Sequence, residues 1–562
     1  VKYIWIVLLL TLSGCMHQSG LDTRPKIPDL FISFDKQIDN SVNIEIEFIG
    51  HESGVTELKL NSWGGLDNLS SHITNFQVKT AGRKLDFSEI ADGHWRVDHA
   101  HQLNLTISYT LEVNERQLSN SDRMYYRPIV NSQLFHMVGS TGLVLPQHLD
   151  GKLGVNITWQ NIGEWQTVSS LGLQNGSKTF VANLSELHNS LFVAGPLKLE
   201  TRMIKGNPLL ITLHGENWNF KLKELADIAE TITAAERDYF EDHDFPFYWI
   251  NAISVGEPLE NGYSFGGTKL HNNFALFLNP ATKIEVDTSE GSPVTNLLAH
   301  EMMHEWIGGK LQQKSSVEEG TMYWFSEGFT NYLTRKVLLK SKLIDFSKFQ
   351  IELNKTLEEY STNPVKNATN VSIAKNFWMS QDYQKLPYLR GELAALLLDI
   401  SLQKRQGFDI SKLIKEWLIS DEWKGGVDNS VFRESIKYQI PPNKMDGLMS
   451  FIKDGSMPDW QRWSLRNCAI FSLEDKATWD SGFDHKTSID THIISGVKEN
   501  SAAYKAGLRD GQKLMSGSIV FNDIKESISI KVEEREEVIE YLPLGDSIVL
   551  PQVRLNKNCF KY

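Results

Sequence analysis

Between Ile27 and about Leu197 apolar and polar residues alternate. In SVNIEIEFIG, Val42, Ile44, Ile46 and Phe48 fall on one side of a strand. In LNLTISYTLEV, Leu103, Leu105, Ile107, Tyr109 and Leu111 do the same, and GVNITWQNI reads alike. Successive side chains of a strand point to opposite faces, so period two interrupted by Gly, Asn, Asp and Ser predicts half-buried strands joined by turns. The pattern predicts an all-β, sandwich-like N-terminal domain over 27–200. No titratable cluster within it suggests chemistry, and its expected role is structural.

From about Pro208 the pattern changes. PLLITLHG is a buried-strand candidate. WNFKLKELADIAETITAAERDYFED is helical, because Leu222, Leu225, Ile228, Ile232 and Ala235 recur at helical spacing. FPFYWINAISV and KLHNNFALFLNP are each expected as one strand. The NNFALFLN part is either an exposed edge that could pair with an extended peptide or an internal strand. Mostly helical segments follow Glu327 to about Leu465, and strands return from Cys468 onward.

A chain of 562 residues is too long for one core, and about 150 residues per domain suggests three or four units. The net charge is −13, with no long basic run, which argues against nucleic acid as a partner. At the start, Lys2 precedes an apolar run, Ile4 to Leu12, too short to span a bilayer comfortably. It reads as a signal peptide over 1–14, followed by a tether over 15–26. LSGC, Leu12 to Cys15, resembles the bacterial lipoprotein cleavage box. That implies cleavage before Cys15, lipid on its thiol, and a membrane-anchored lipoprotein of the bacterial cell envelope facing the periplasm. Cys468 and Cys559 are either bridged or two free thiols.

The strongest chemical signal is NLLAHEMMHEWIGGK, Asn296 to Lys310. His300 and His304 stand four apart, so on a helix they share a face and can grip one metal ion, with Glu301 in reach of a water on it. Ser292 and Pro293 suit a helix start, and Gly308 and Gly309 a helix end. A catalytic zinc takes three protein ligands and keeps one position open. Glu327, at the expected start of the helix in MYWFSEGFTNYLTRKVLL, is the candidate third ligand for a single Zn2+; Glu318 and Glu319 are competitors from a loop. Asn331, four residues after Glu327, could accept a hydrogen bond from the second ring nitrogen of a ligating histidine. Glu301 is the expected general base.

WFSEGFTNYL resembles the W-x-x-E-G-F segment of gluzincin aminopeptidases, in which the glutamate binds zinc. LPYLRG resembles their P-Y-x-[KR]-G segment, whose tyrosine donates to the oxyanion; Tyr388 stands at that place. ENSAAYKAGLRDGQKLMS, Glu499 to Ser516, resembles the short helix and turn of a PDZ domain. Together the chain resembles the glycyl aminopeptidase family. The resemblance implies a thermolysin-like α+β metallopeptidase domain over 201–466, with a helical C-terminal part, and a PDZ domain over 467–562. It also implies a zinc metallopeptidase acting on peptides or proteins. The family's G-G-x-E-H-like stretch appears here as SFGGTKLHNNFALFLNP, with Gly266 and Gly267 in place, His271 nearby and no Asp or Glu. Gly266, Gly267 and His271 are the substrate-binding candidates, and the missing acid leaves aminopeptidase and endopeptidase action both open. The last domain either takes a peptide ligand, with Gly482 in a carboxylate-binding loop, or packs on the catalytic core. A third reading is a PDZ-bearing peptide-binding protein without catalysis.

Overall fold

The structure, a computed structural model, describes residues 28–560 apart from 39–40, 62–65, 67, 113–126, 175, 246, 257, 259–264, 285–292, 319, 404–407, 466 and 522. The expected signal peptide, tether and Cys15, like Ser292 and Glu319, lie outside the described residues. The chain divides into two compact units, 1–197 with 270–272, and 198–269 with 273–562.

The first unit is built of β-sheets. Val42–Ile49 buries every second residue, as its alternation requires. It pairs antiparallel with Asn104–Leu111, which sets Ile44 opposite Tyr109 and Ile46 opposite Ile107. Such apolar cross-strand pairs fix the register, because a slip of one residue would turn every one of them to solvent. These strands lie in a seven-stranded sheet, joined by sheets of five and four strands. Phe34, Trp159, Phe135 and Phe192 pack at the centre of the core, with Phe34 stacked on Trp159 at 4.4 Å.

The second unit opens with a five-stranded sheet ordered Lys198–Ile204, Asn207–His214, Tyr248–Ser254, Asn273–Leu278, Phe265–Leu270. Helix Leu222–Phe240 links Asn207–His214 to its parallel neighbour Tyr248–Ser254. KLHNNFALFLNP is two strands around a turn at 271–272, not one. Asn273–Leu278 is buried along its whole length and is internal; Phe265–Leu270 is the edge. An apolar run with no polar face belongs inside a sheet, which is why NFALFL sits there.

Helices follow, in one core with the sheet. Three of them carry or flank the site: Pro293–Met303, Thr330–Lys340 and Gln381–Leu402. The last begins seven residues before Tyr388, with Ser380 as its N-cap, so Tyr388 sits in the second turn rather than at the start.

The C-terminal part forms small sheets. Ala469–Trp479 and Leu544–Leu555 make a long antiparallel ribbon, and a disulfide joins Cys468 to Cys559 beside it. The ribbon is sewn to helix Phe346–Thr362. Asn354 accepts from the Val553 N–H at 2.7 Å and donates to the Val553 carbonyl at 3.1 Å. Ala469, Phe471, Val553, Leu555 and Phe560 belong to the same core as the five-stranded sheet and the helices. Beyond the ribbon, a three-stranded sheet and the short helix Ala502–Ala506 enclose a small core of their own.

Candidate metal centre

Pro293 is the first residue of the helix that carries the histidines. The helix stops at Met303, one residue short of His304, because the following N–H groups turn to carbonyls three residues back: Glu305 to Met302 and Trp306 to Met303. This tighter turn still keeps the two imidazoles together, their planes at 89° and their Nε2 atoms 3.2 Å apart. Gly308 takes a positive φ of 88°, and a Cβ on Gly309 would lie 2.5 Å from the carbonyls of His304 and Glu305, so the glycine pair is what lets the chain turn away.

Glu327 lies within a π-helical turn, Trp324–Phe329, that leads into Thr330–Lys340. Such turns insert an extra residue and re-aim side chains, often at functional sites. Its Oε2 stands 3.4 Å from His300 Nε2 and 3.5 Å from His304 Nε2. The three ligand atoms therefore form a near-equilateral triangle. A tetrahedral ion with bonds of about 2.0–2.1 Å sets its ligands roughly 3.3–3.4 Å apart, so this donor set has the chemistry and the spacing for zinc. Among the described residues this is the one group of three or more His, Cys, Asp or Glu side chains poised to hold a metal.

The rings are oriented from behind. Asn331 Oδ1 lies 2.8 Å from His300 Nδ1, and the Ile307 carbonyl 3.1 Å from His304 Nδ1. Each acceptor holds the proton on Nδ1 and presents a bare Nε2 to the centre. Burial opposes charge at both Glu327 and His304. Their mutual attraction outweighs it, holding the Glu327 carboxyl well below the usual range and raising His304 to about 9. The site thus favours positive charge at its middle, which a divalent cation supplies more strongly than a proton.

Glu301 projects beside the ligands. Burial pushes its carboxyl up; His300, His304 and, more weakly, the Lys269 backbone N–H of the edge strand work against that. Tyr388 is half-buried, its ring 6.0 Å from that of His300, with Glu327 near its hydroxyl. Burial, with Glu327 and Glu301 nearby, pushes the phenol well above its ordinary value, so it remains a donor.

Two glycines bring Tyr388 and Glu327 together. A Cβ on Gly391 would fall 1.8 Å from the Trp324 carbonyl, and one on Gly328 would fall 2.3 Å from the Gly391 Cα. The π-turn and helix Gln381–Leu402 cross in backbone contact at this pair. Arg390, fully buried, donates to the carbonyls of Lys366, Ala368 and Ile452 and to Asn370, fixing the same helix from its far side. A cavity of about 530 Å³ opens beside Asn331 and Tyr388, walled by Arg335, Glu359, Phe377 and Trp378.

The structure thus gathers His300, Glu301, His304, Glu327, Asn331 and Tyr388 at one place. Gly266 and Gly267 lie on the edge strand, where a Cβ on Gly267 would strike the Phe274 ring at 2.4 Å. His271 is in the turn that follows, its N–H donating to the Asn189 carbonyl at 2.7 Å. Lys269 went unnoticed in the sequence. The signal was available, since a strand containing Gly-Gly and a lysine reads as an edge and NFALFL as internal.

Residues 294–388 match the family described as M61 glycyl aminopeptidase. Among solved structures, an aminopeptidase N family protein from Idiomarina loihiensis is similar, with a TM-score of 0.68 at 16% identity over 94% of this chain and 99% of that one. A variant of an M1 zinc metallopeptidase from Deinococcus radiodurans gives 0.50 at 14% identity, over 76% of this chain and 94% of that one. At these identities the likeness is one of fold. No curated protein sequence matches significantly.

Proposed function

We infer that this chain, whose residues 294–388 match the M61 glycyl aminopeptidases, is a zinc metallopeptidase of the aminopeptidase type. The observation that carries the reading is the triangle of His300 Nε2, His304 Nε2 and Glu327 Oε2, with the Glu301 carboxylate beside it. A zinc ion held there would acidify water and polarise a carbonyl. Glu301 takes the proton of the attacking water on its carboxylate and passes it to the leaving amine. Tyr388 donates its hydroxyl to the oxyanion that develops as the carbonyl carbon becomes tetrahedral. Asn331 keeps His300 in the ligating tautomer. Gly266 and Gly267 keep the edge strand free of side-chain bulk, so an extended peptide can pair with its backbone; His271 is the remaining substrate-binding candidate. An endopeptidase of the same chemistry is the alternative that the missing acid on this strand favours.

We read the C-terminal small sheets as a PDZ domain on the strength of the helix Ala502–Ala506, whose Ala503 packs against Gly482. Its role is structural rather than peptide-binding. The Gly482 N–H already donates to Asp480 at 2.9 Å, and the following segment, where strand addition would need a ladder, is the helix His485–Thr491. The lipid anchor at Cys15 and an envelope location rest on the N-terminal sequence alone.

The test is hydrolysis of a mixed peptide library by the purified chain carrying one zinc per molecule. Cleavage that stops on chelation and returns with zinc is the expected result. A zinc-loaded chain that cleaves no peptide contradicts the reading and leaves the non-catalytic binding protein.

A further inference from the structure

The edge strand Phe265–Leu270 runs past the proposed base: the Lys269 backbone faces the Glu301 carboxylate, and its side chain reaches Glu305, one turn further on. An extended chain paired with this strand would therefore pass Glu301 and the Lys269 side chain together. Lys269 Nζ lies 3.4 Å from Glu305 Oε2, and both side chains are about a quarter exposed, at 27% and 24%. Glu305 follows Glu301 by four residues.

The charges along this strip are unequally committed. Glu327 belongs to the metal centre and Glu301 to the proton transfer. Glu305 is taken by Lys269, and Asp242, next along, by Lys310 and Trp306. None of these four carboxylates is free to receive a substrate ammonium. Lys269 has three N–H donors and, among the described residues, one long contact, so it can still take a second carboxylate.

We propose that Lys269 selects the substrate class: peptides carrying an acidic side chain within one or two residues of the scissile bond. The ammonium attracts that carboxylate and repels a lysine, or a free α-ammonium, brought to the same place. This deepens the metallopeptidase reading and rests on it.

The experiment uses the zinc-loaded full chain and matched peptides that place Glu, Gln or Lys at each position flanking one cleavable bond. For the wild type, kcat/KM should favour Glu over Gln by tenfold or more at one of these positions, and disfavour Lys. In Lys269→Met the Glu-to-Gln ratio should fall to near one, and in Lys269→Glu the preference should pass to Lys. Lys269→Arg should retain the acidic preference, which separates charge from disruption of the strand. Hydrolysis with no acidic preference, or a preference that survives in Lys269→Met, overturns the inference while leaving the metallopeptidase reading intact. If the wild type cleaves none of these peptides, both fall.

Discussion

At the scale of single residues, the site works by paired constraints. A histidine that ligates through Nε2 must hold its proton on Nδ1, and Asn331 provides for that at His300. Replacing such a partner typically costs 10–100-fold in metal affinity. Asn331→Ala is therefore expected to weaken zinc binding by about that factor while the fold holds, as read by competition with a chromophoric chelator. Unchanged affinity would mean that the His300 tautomer is fixed elsewhere. The histidine pair was legible in the sequence because the i, i+4 rule turns spacing directly into geometry, and Glu327 because WFSEGF opens a second helix. Lys269 was legible only as a residue of an edge strand, because nothing local in the chain says that this edge passes Glu301. The π-helical turn was not legible: the residues of WFSEGF carry no periodicity that separates it from an ordinary helix start.

Among elements, the question is what keeps the helices that bear Tyr388 and flank Glu327 in fixed register. One device is the Gly328–Gly391 crossing. The second is a buried ionic cluster. Lys336 on Thr330–Lys340 and Asp399 on Gln381–Leu402 are both fully buried, 2.8 Å apart. Asp399 also accepts from the Tyr332 hydroxyl at 2.7 Å and the Ile410 N–H at 3.0 Å, and Asp409 caps the next helix 3.3 Å from Lys336. Three helices are thus tied at one point. Removing one partner of such a pair leaves a buried charge uncompensated, at about 3–5 kcal/mol. Lys336→Ala should lose that much stability in denaturant titration, and Lys336→Ala/Asp399→Ala less than the sum of the two single losses. Additive losses would show that the pair does not act as one. Helix positions were legible from their apolar spacing. This cluster was not, since its members are 63 and 73 residues apart in the chain and no local pattern joins them.

At the scale of the whole molecule, acid acts on the first unit through two buried histidines. The first unit buries His72 and His188, and neither Nδ1 has a hydrogen-bond partner among the described residues. Burial lowers both to about 4, from 6.5 in an open chain. Unfolding therefore takes up protons between those values, so stability is whole above pH 6.5 and is lost as pH falls towards 4. At ~1.4 kcal/mol per pH unit the loss is roughly 3 kcal/mol for each histidine. The apparent melting temperature of the full chain should fall across this window, and the fall should shrink in His72→Gln/His188→Gln. A profile unchanged by the double substitution would place the acid sensitivity elsewhere. The β N-terminal part, the helical catalytic region and the C-terminal strands were legible from the change of period along the chain. That the C-terminal ribbon shares the catalytic core was not, because Asn354 and Val553 meet only through the fold. The central claim is that Glu301 moves the proton in a peptide hydrolysis carried out at His300, His304 and Glu327. It is tested most directly by turnover of zinc-loaded Glu301→Gln against the wild type on one peptide, with zinc content measured in the same samples. An amide cannot take the proton and leaves the ligands in place, so the account predicts equal zinc and a rate lower by about 10²–10⁴. A wild-type rate at equal zinc would contradict it.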